Sequence, residues 1–281
     1  IYPLVEGSDL DPVTFQPLMG PDYDNPIELG FLVKGFEYPI LGLFTWDRHF
    51  FGSVDGKPVH LLGTDNVGRD IFTRVIFGAR ISLLLALVVL GTAVPFGTML
   101  GLLAGYFGGW VETVIMRLTD IALAIPPLVM ALAVAAVLSP DLINSMLAIA
   151  GLWWTWHTRL IYSITRQLRS QEFVEAAETL GASKFHILFR EILPNCVSAL
   201  AVKTSLDCGF VILVGASLSF LGLGIQPPTP DLGTMVSQGS AFLPDYWWES
   251  VLPGFAILFI ALGFNLLGDG LRDLFDVQEV K

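Results

Sequence analysis

The sequence is short of charge. Of its 281 residues 15% are charged and 53% hydrophobic, whereas an ordinary soluble domain carries about 25% charged residues. Lys and Arg are missing altogether from 139–141 and 223–250. Cysteine is nearly absent: Cys196 and Cys208 lie near or within apolar stretches, read as small buried hydrophobes, and have no zinc-type spacing around them. His49, His60, His157 and His186 show no metal spacing either. No Gly-x-x-x-x-Gly-Lys-Ser/Thr segment occurs, so the chain does not supply the usual phosphate-binding loop. No basic–apolar–small signal pattern opens it at Ile1.

What it has is long apolar runs. Spanning a bilayer takes roughly 20 mostly apolar residues. Stretches at about 81–104, 118–138, 142–164, 205–222 and 251–268 meet that length. The fold class expected is therefore an all-α polytopic membrane protein with five visible spans. A soluble fold would need several nearly charge-free helices buried on all sides.

Residues 1–68 are rich in Pro, Gly, Asp and aromatics and contain no span-length run. They read as an irregular extramembrane segment with short strands or turns, followed by a membrane domain over 69–281. Ile71, Val75, Ile76, Ala79 and Leu83 recur at helical spacing, which predicts a membrane-surface helix feeding the first span. Gly91, Pro95, Gly97 and Gly101 within that span suit close helix packing. Pro126-Pro127 should kink the second span. Trp153, Trp154 and Trp156 fall in the second half of the third; indoles favour interfaces, and three together equally suit packing on another helix.

Orientation follows from the cations. Arg166, Arg169, Lys184, Arg190 and Lys203 crowd the 165–203 loop, and Arg272 and Lys281 the tail. The positive-inside rule places that loop and the C-terminus in the cytoplasm and residues 1–70 outside. Arg69, Arg74 and Arg80 run against it, although long segments translocate largely regardless of charge. Residues 1–80 hold 11 acidic and 6 basic residues, which suggests a solvated segment, not a nucleic-acid surface.

The most informative polar stretch is "FVEAAETLGASKFHILFREILPN", residues 173–195. Phe173, Ala176, Ala177 and Leu180 form one apolar stripe on a short helix. Gly181 stands where a left-handed helix end belongs. Ser183 can cap a second helix. In that helix Phe185, Leu188, Phe189 and Ile192 repeat the spacing, and Pro194 is expected to stop it. Glu175 sits in the first turn, where the helix dipole favours a carboxylate. The polar residues Glu172, Glu175, Glu178 and Thr179 are mostly acidic. A helix lying on anionic headgroups would carry Lys and Arg there, so a protein partner is the better fit.

"EAAETLG", nine residues to Glu191, then "ILP" resembles the EAA loop of ABC-transporter permeases. Glu175, Ala176, Ala177, Gly181, Leu193 and Pro194 match that pattern, and Glu191 stands where the pattern has isoleucine. "LLGTDNVGRDIFTRVIFGARISL", "GGWVETVIMRLTDIALAIPPL", "SLSFLGLGIQPPTPDLGTM" and "LPGFAILFIALGFNLLGDGLRDLFD" are similar to the C-type permease of dipeptide/oligopeptide importers, over most of 61–276. The resemblance implies a bacterial or archaeal cell-membrane subunit that pairs with a homologous second permease. It implies two cytoplasmic ATPases that bind ATP and Mg, and an extracytoplasmic substrate-binding protein. On this chain it implies a coupling loop at 173–194, carried by Phe173, Glu175, Ala176, Ala177, Leu180, Gly181, Phe185, Leu193 and Pro194. It implies no catalytic residue, cofactor or metal on this chain itself. The family has six spans, so one more is expected before Ile1.

Two other classes make different demands on the residues. An ion-coupled secondary transporter calls for midplane carboxylates and inverted repeats; Asp120, Lys203 and Asp207 lie in or near spans, but near their predicted cytoplasmic ends, and are expected to be structural. An intramembrane hydrolase is suggested by the serines of "GASLSFLG" (215–222), yet no Gly-x-Ser-x-Gly elbow or matched histidine accompanies them. Small residues for close packing explain that stretch, and Asn265 reads as interhelical glue.

Overall fold

The computed structural model describes residues 4–10, 17–40, 44–56 and 59–276. The chain divides into two units, Ile1–Leu61 and Leu62–Lys281. In the first, β1 (Leu4–Leu10) pairs antiparallel with β2 (Pro17–Pro21), and β3 (Leu29–Ile40) with β4 (Phe44–Ser53). Phe31 opposes Phe51 across the second hairpin, with the rings edge-on at 5.7 Å. That hairpin is longer than the short strands expected.

The second unit is helical. Asp65 folds the residues before α1 into a tight turn by accepting from the Val67 and Arg69 amides at 3.1 and 2.8 Å. Asp70 then caps α1 (Ile71–Phe107) by accepting from the Thr73 amide at 2.7 Å. Trp248 Nε1 donates to Thr64 O at 3.0 Å, fixing this turn to the helical unit. No separate surface helix precedes the first span. Its residues belong to one 37-residue helix, which Pro95 does not interrupt.

α2 (Gly109–Leu123) and α3 (Pro127–Val137) replace the expected kinked span. Pro126 and Pro127 both lack an N–H, and Pro restricts the residue before it, so the helix stops and restarts. The two halves meet at 85°. α4 (Leu142–Arg169), α5 (Glu172–Thr179), a single α-turn α6 (Lys184–His186), a π-helical turn (Ile187–Ile192), α7 (Leu193–Phe220), α8 (Leu232–Ser240) and α9 (Trp248–Asp276) follow.

Among the described residues three helical stretches are long and apolar enough to cross a membrane: Ile71–Phe107, Lys184–Phe220 and Trp248–Phe275. Counting the bent α2–α3 pair makes four. The third expected span, α4, has 28 residues but mixes Thr, His and Arg into its sequence. Only 33, 28 and 17% of the most apolar windows of those three stretches is buried within the protein. In water such faces would form a core. Here they point outward, which is how a membrane domain uses them.

The core joins α1 (Leu85, Val89), α3 (Ala131, Ala135), α4 (Ile149, Trp153) and α7 (Val211, Leu218). Trp153 is thus a packing residue. α1 and α4 approach each other closely. A Cβ on Gly97, Gly101 or Gly105 would come within 2.4 Å of Trp154 O, 2.7 Å of Thr158 O or 2.6 Å of Thr165 Cβ. Thr158 Oγ1 donates across this seam to Gly97 O at 3.1 Å. Gly91 has no neighbour that a Cβ would touch, so the close-packing expectation applies to Gly97 and Gly101 alone of that pair-forming set.

The serines of 215–222 serve backbone contacts: Ser217 Oγ donates to Leu213 O at 2.7 Å, and Ser219 Oγ accepts from the Ile225 amide at 3.3 Å. Ser205 Oγ likewise reaches Phe264 O across the α7–α9 contact at 2.9 Å. Asp120 pairs with Arg159 of α4. Asp207 does not sit near a helix end as expected. Because the helix is already running from Leu193, Asp207 lies midway along α7 and is buried.

Candidate functional site: the knob between α4 and α7

α4 ends at Ser170, and Gln171 turns the chain into α5 with its carbonyl accepting from the Val174 and Glu175 amides at 3.0 and 3.2 Å. Glu172 and Glu175 occupy the first turn, where the unsatisfied amides favour negative charge. α5 closes as the sequence predicts. Gly181 has φ +81°. Its amide donates to Glu178 O, and the Ala182 amide donates to Ala177 O, each at 3.0 Å. This is the Schellman arrangement, which satisfies carbonyls that a helix end would otherwise leave bare. Ser183 Oγ accepts from the His186 amide at 3.2 Å and starts the next turn.

Pro194 does not end that second helix. It occupies the first turn of α7, where its missing N–H costs little. The preceding turn widens to a π-helix, with the Leu193 amide donating to Leu188 O. Asn195 Nδ2 takes up Glu191 O at 2.6 Å. The chain therefore passes from knob to span without a break.

The apolar residues of the knob divide between two faces. Val174, Ile187, Leu188 and Ile192 are buried with Leu102 and Tyr106 of α1, Ile161 of α4 and Cys196 of α7; Ala177, Ala182 and Leu193 pack partly against them. Phe173, Ala176, Leu180, Phe185 and Phe189 remain exposed, Leu180 at 87% and Phe185 at 71%. The Phe185 and Phe189 rings lie against each other with centroids 4.4 Å apart. Glu175 and Pro194 are also exposed.

The expected single stripe of Phe173, Ala176, Ala177 and Leu180 is thus split. Ala177 turns inward with Val174, and these two also stand three apart, so the same spacing supports a second stripe. Leu188 and Ile192 likewise turn inward, away from Phe185 and Phe189. A helix this short with apolar residues on both sides carries two overlapping stripes, and spacing alone does not choose between them.

Polar contacts fix the knob to the helices above it. Tyr106 Oη donates to Glu178 Oε1 at 3.0 Å. The Arg169 guanidinium lies 5.6 Å from the Tyr106 ring centre, and Lys184 Nζ lies 5.4 Å from that of Phe107. His186 Nε2 stands 3.5 Å from Glu191 Oε1. Beside the knob, Glu112 of α2 meets both Tyr162 and Arg166 of α4. Apart from His186 and Glu191, these partners stand too far apart in sequence for local spacing to show them.

The helical domain thus carries a capped knob with an exposed apolar face between two long helices. Residues 97–278 match the family described as binding-protein-dependent transport system inner membrane component, and the chain belongs to it. It is 46% identical to the probable D,D-dipeptide transport system permease protein DdpC of Escherichia coli, over 77% of this chain and 73% of that one. It is 42% identical to the glutathione transport system permease protein GsiD of Pectobacterium atrosepticum, over 85% and 78%. In fold it is similar to a chain of the inward-facing MetNI methionine ABC transporter, with TM-score 0.57 and 12% identity over 73% of this chain and 95% of that one. A chain of an amino acid ABC transporter crystallised with histidines gives TM-score 0.55 at 16% identity over 72% and 94%. The ion-coupled and hydrolase readings gain no support from these relatives.

Proposed function

We propose that this chain is a transmembrane subunit of an ATP-driven importer for peptides or a related small solute, pairing with a homologous permease to enclose the pathway. The observation that carries the reading is the knob. It is rigidly capped, tied to the ends of α1, α4 and α7, and presents Phe173, Ala176, Leu180, Phe185 and Phe189 outward. Exposed apolar residues of this kind on a polar surface suit a protein partner. Two ATPases seated on the knobs of the permease pair would hydrolyse ATP, with Mg, and drive the helices through this contact. Identity above 40% to peptide permeases over about three quarters of the chain supports the peptide class.

The knob and C-terminus then face the cytoplasm, as the cations of 165–203 suggest. Five membrane crossings follow if α4 spans as well, and residues 1–70 lie outside, where a substrate-binding protein docks. The test is purification from membranes containing all subunits. Wild type should carry two ATPase chains per permease pair, and Leu180→Asp should lose them while staying folded. Retention of the ATPases by Leu180→Asp would remove the exposed face from the docking surface.

A further inference from the structure

We propose that Tyr106 and Glu178 form a positioning link that makes the knob drive α1 together with α4; the inference rests on the knob being the ATPase contact. α5 has a joint at each end. At one, Ser170 and Gln171 connect it to α4, and Gln171 makes no side-chain cap bond. At the other, Gly181 reverses the chain in a left-handed conformation. Between these joints α5 is seated by the apolar packing of Val174 and Ala177, which is non-directional, so a push on its outer face can still be spent partly on rotation.

Glu178 lies in the last turn of α5, next to the Gly181 joint, and accepts the Tyr106 hydroxyl at 3.0 Å. Tyr106 is itself immobilised. Its ring is 5% exposed, packs with Leu102, Val174 and Ile187, and lies beneath the Arg169 guanidinium. The bond therefore closes a loop: α4 to α5 through the chain, α5 to α1 through Glu178, and α1 back to α4 through the Gly97–Gly101–Gly105 seam. With the loop closed, displacing α5 displaces both helices. With it open, only the packing of Val174 and Ala177 resists rotation of α5 about its joints. Glu175, one turn earlier, is exposed and takes no part in this link.

The test uses the assembled transporter in vesicles and reads solute moved per ATP hydrolysed. Tyr106→Phe deletes the hydroxyl alone, and Glu178→Ala deletes the acceptor. Each should lower that ratio by about two- to tenfold, the range of one hydrogen bond, with ATPase content unchanged. Glu178→Gln keeps an acceptor oxygen and should restore coupling. The double variant Tyr106→Phe/Glu178→Ala should be no worse than the more impaired single. Wild-type coupling in Tyr106→Phe would overturn the link, as would Glu178→Gln failing like Glu178→Ala. Leu180→Asp in parallel separates the two ideas, because retained ATPases there would count against the docking surface and not against the link.

Discussion

His157 Nε2 lies 3.5 Å from Asp207 Oδ2, joining α4 to α7 with both side chains almost wholly buried. Lys203, one turn before Asp207, pairs with its other carboxylate oxygen. The group is a buried polar contact between helices, and buried charges require their partners. Removing the carboxylate strands an ammonium. Asp207→Ala should cost about 3 kcal/mol, the low end for a broken buried pair because Lys203 keeps some exposure. Replacing both members, Lys203→Leu with Asp207→Leu, should cost less than Asp207→Ala alone. Thermal unfolding in detergent of Asp207→Ala and of the double variant measures the difference.

The α1–α4 seam predicts a contrast between glycines of one helix. Gly101→Ala puts a Cβ 2.7 Å from Thr158 O and 2.8 Å from Ile161 Cβ. The helices would have to part, at about 1–3 kcal/mol. Gly91→Ala meets nothing within 4 Å. It should be neutral or stabilising by up to about 1 kcal/mol, through helix propensity. Thermal midpoints of the two variants check this, and equal midpoints would contradict the seam.

Gly181→Val should uncouple transport without preventing membrane assembly. The turn requires φ +81°, which costs an ordinary L-residue about 1–2 kcal/mol and a β-branched one more. Gly181→Asn, whose side chain tolerates that conformation, should retain most activity. Transport rates normalised to purified complex distinguish the two. Wild-type transport by the valine variant would mean that the angle between α5 and the following turn is not used.

Two aspartates placed three residues apart should fail differently. Ala177→Asp puts a carboxylate against Val174 and the apolar cluster around it, so it should lower the thermal midpoint and the yield of folded permease. Leu180→Asp introduces its charge at an 87% exposed position. It should leave the midpoint within about 0.5 kcal/mol of wild type. If the two variants proved equally stable, the inward assignment of Ala177 would be in error.

The knob's outline could be read from the sequence because its signals are local. Gly181 ends a helix, Ser183 starts the next turn, and both act within a few residues. The division of its faces could not, because Val174 and Ala177 are selected by what α1 and α4 place opposite them. The link from Glu178 to Tyr106 crosses 72 residues, and no periodicity reports such a pairing. The depth of Asp207 is hidden for a different reason. A proline signals a helix stop, yet Pro194 lies in the first turn of α7, which follows the π turn Ile187–Ile192 without a break, so α7 begins well before its most apolar run. The double proline at 126–127 does signal a disturbance. Its magnitude, a full break, depends on two missing amides acting at adjacent positions.

That break constrains what can lie beside it. Between Leu123 and Pro127 the backbone leaves its helical ladder, and Ala124 and Pro126 are exposed on this chain's own surface. Hydrocarbon offers no donors, so bare carbonyls facing acyl tails would be strongly disfavoured. If the α2–α3 pair crosses the bilayer, its corner must be wetted or covered by another polypeptide. The hydrophobic belt of this subunit is then interrupted along one flank, and lipid cannot form a complete annulus around it.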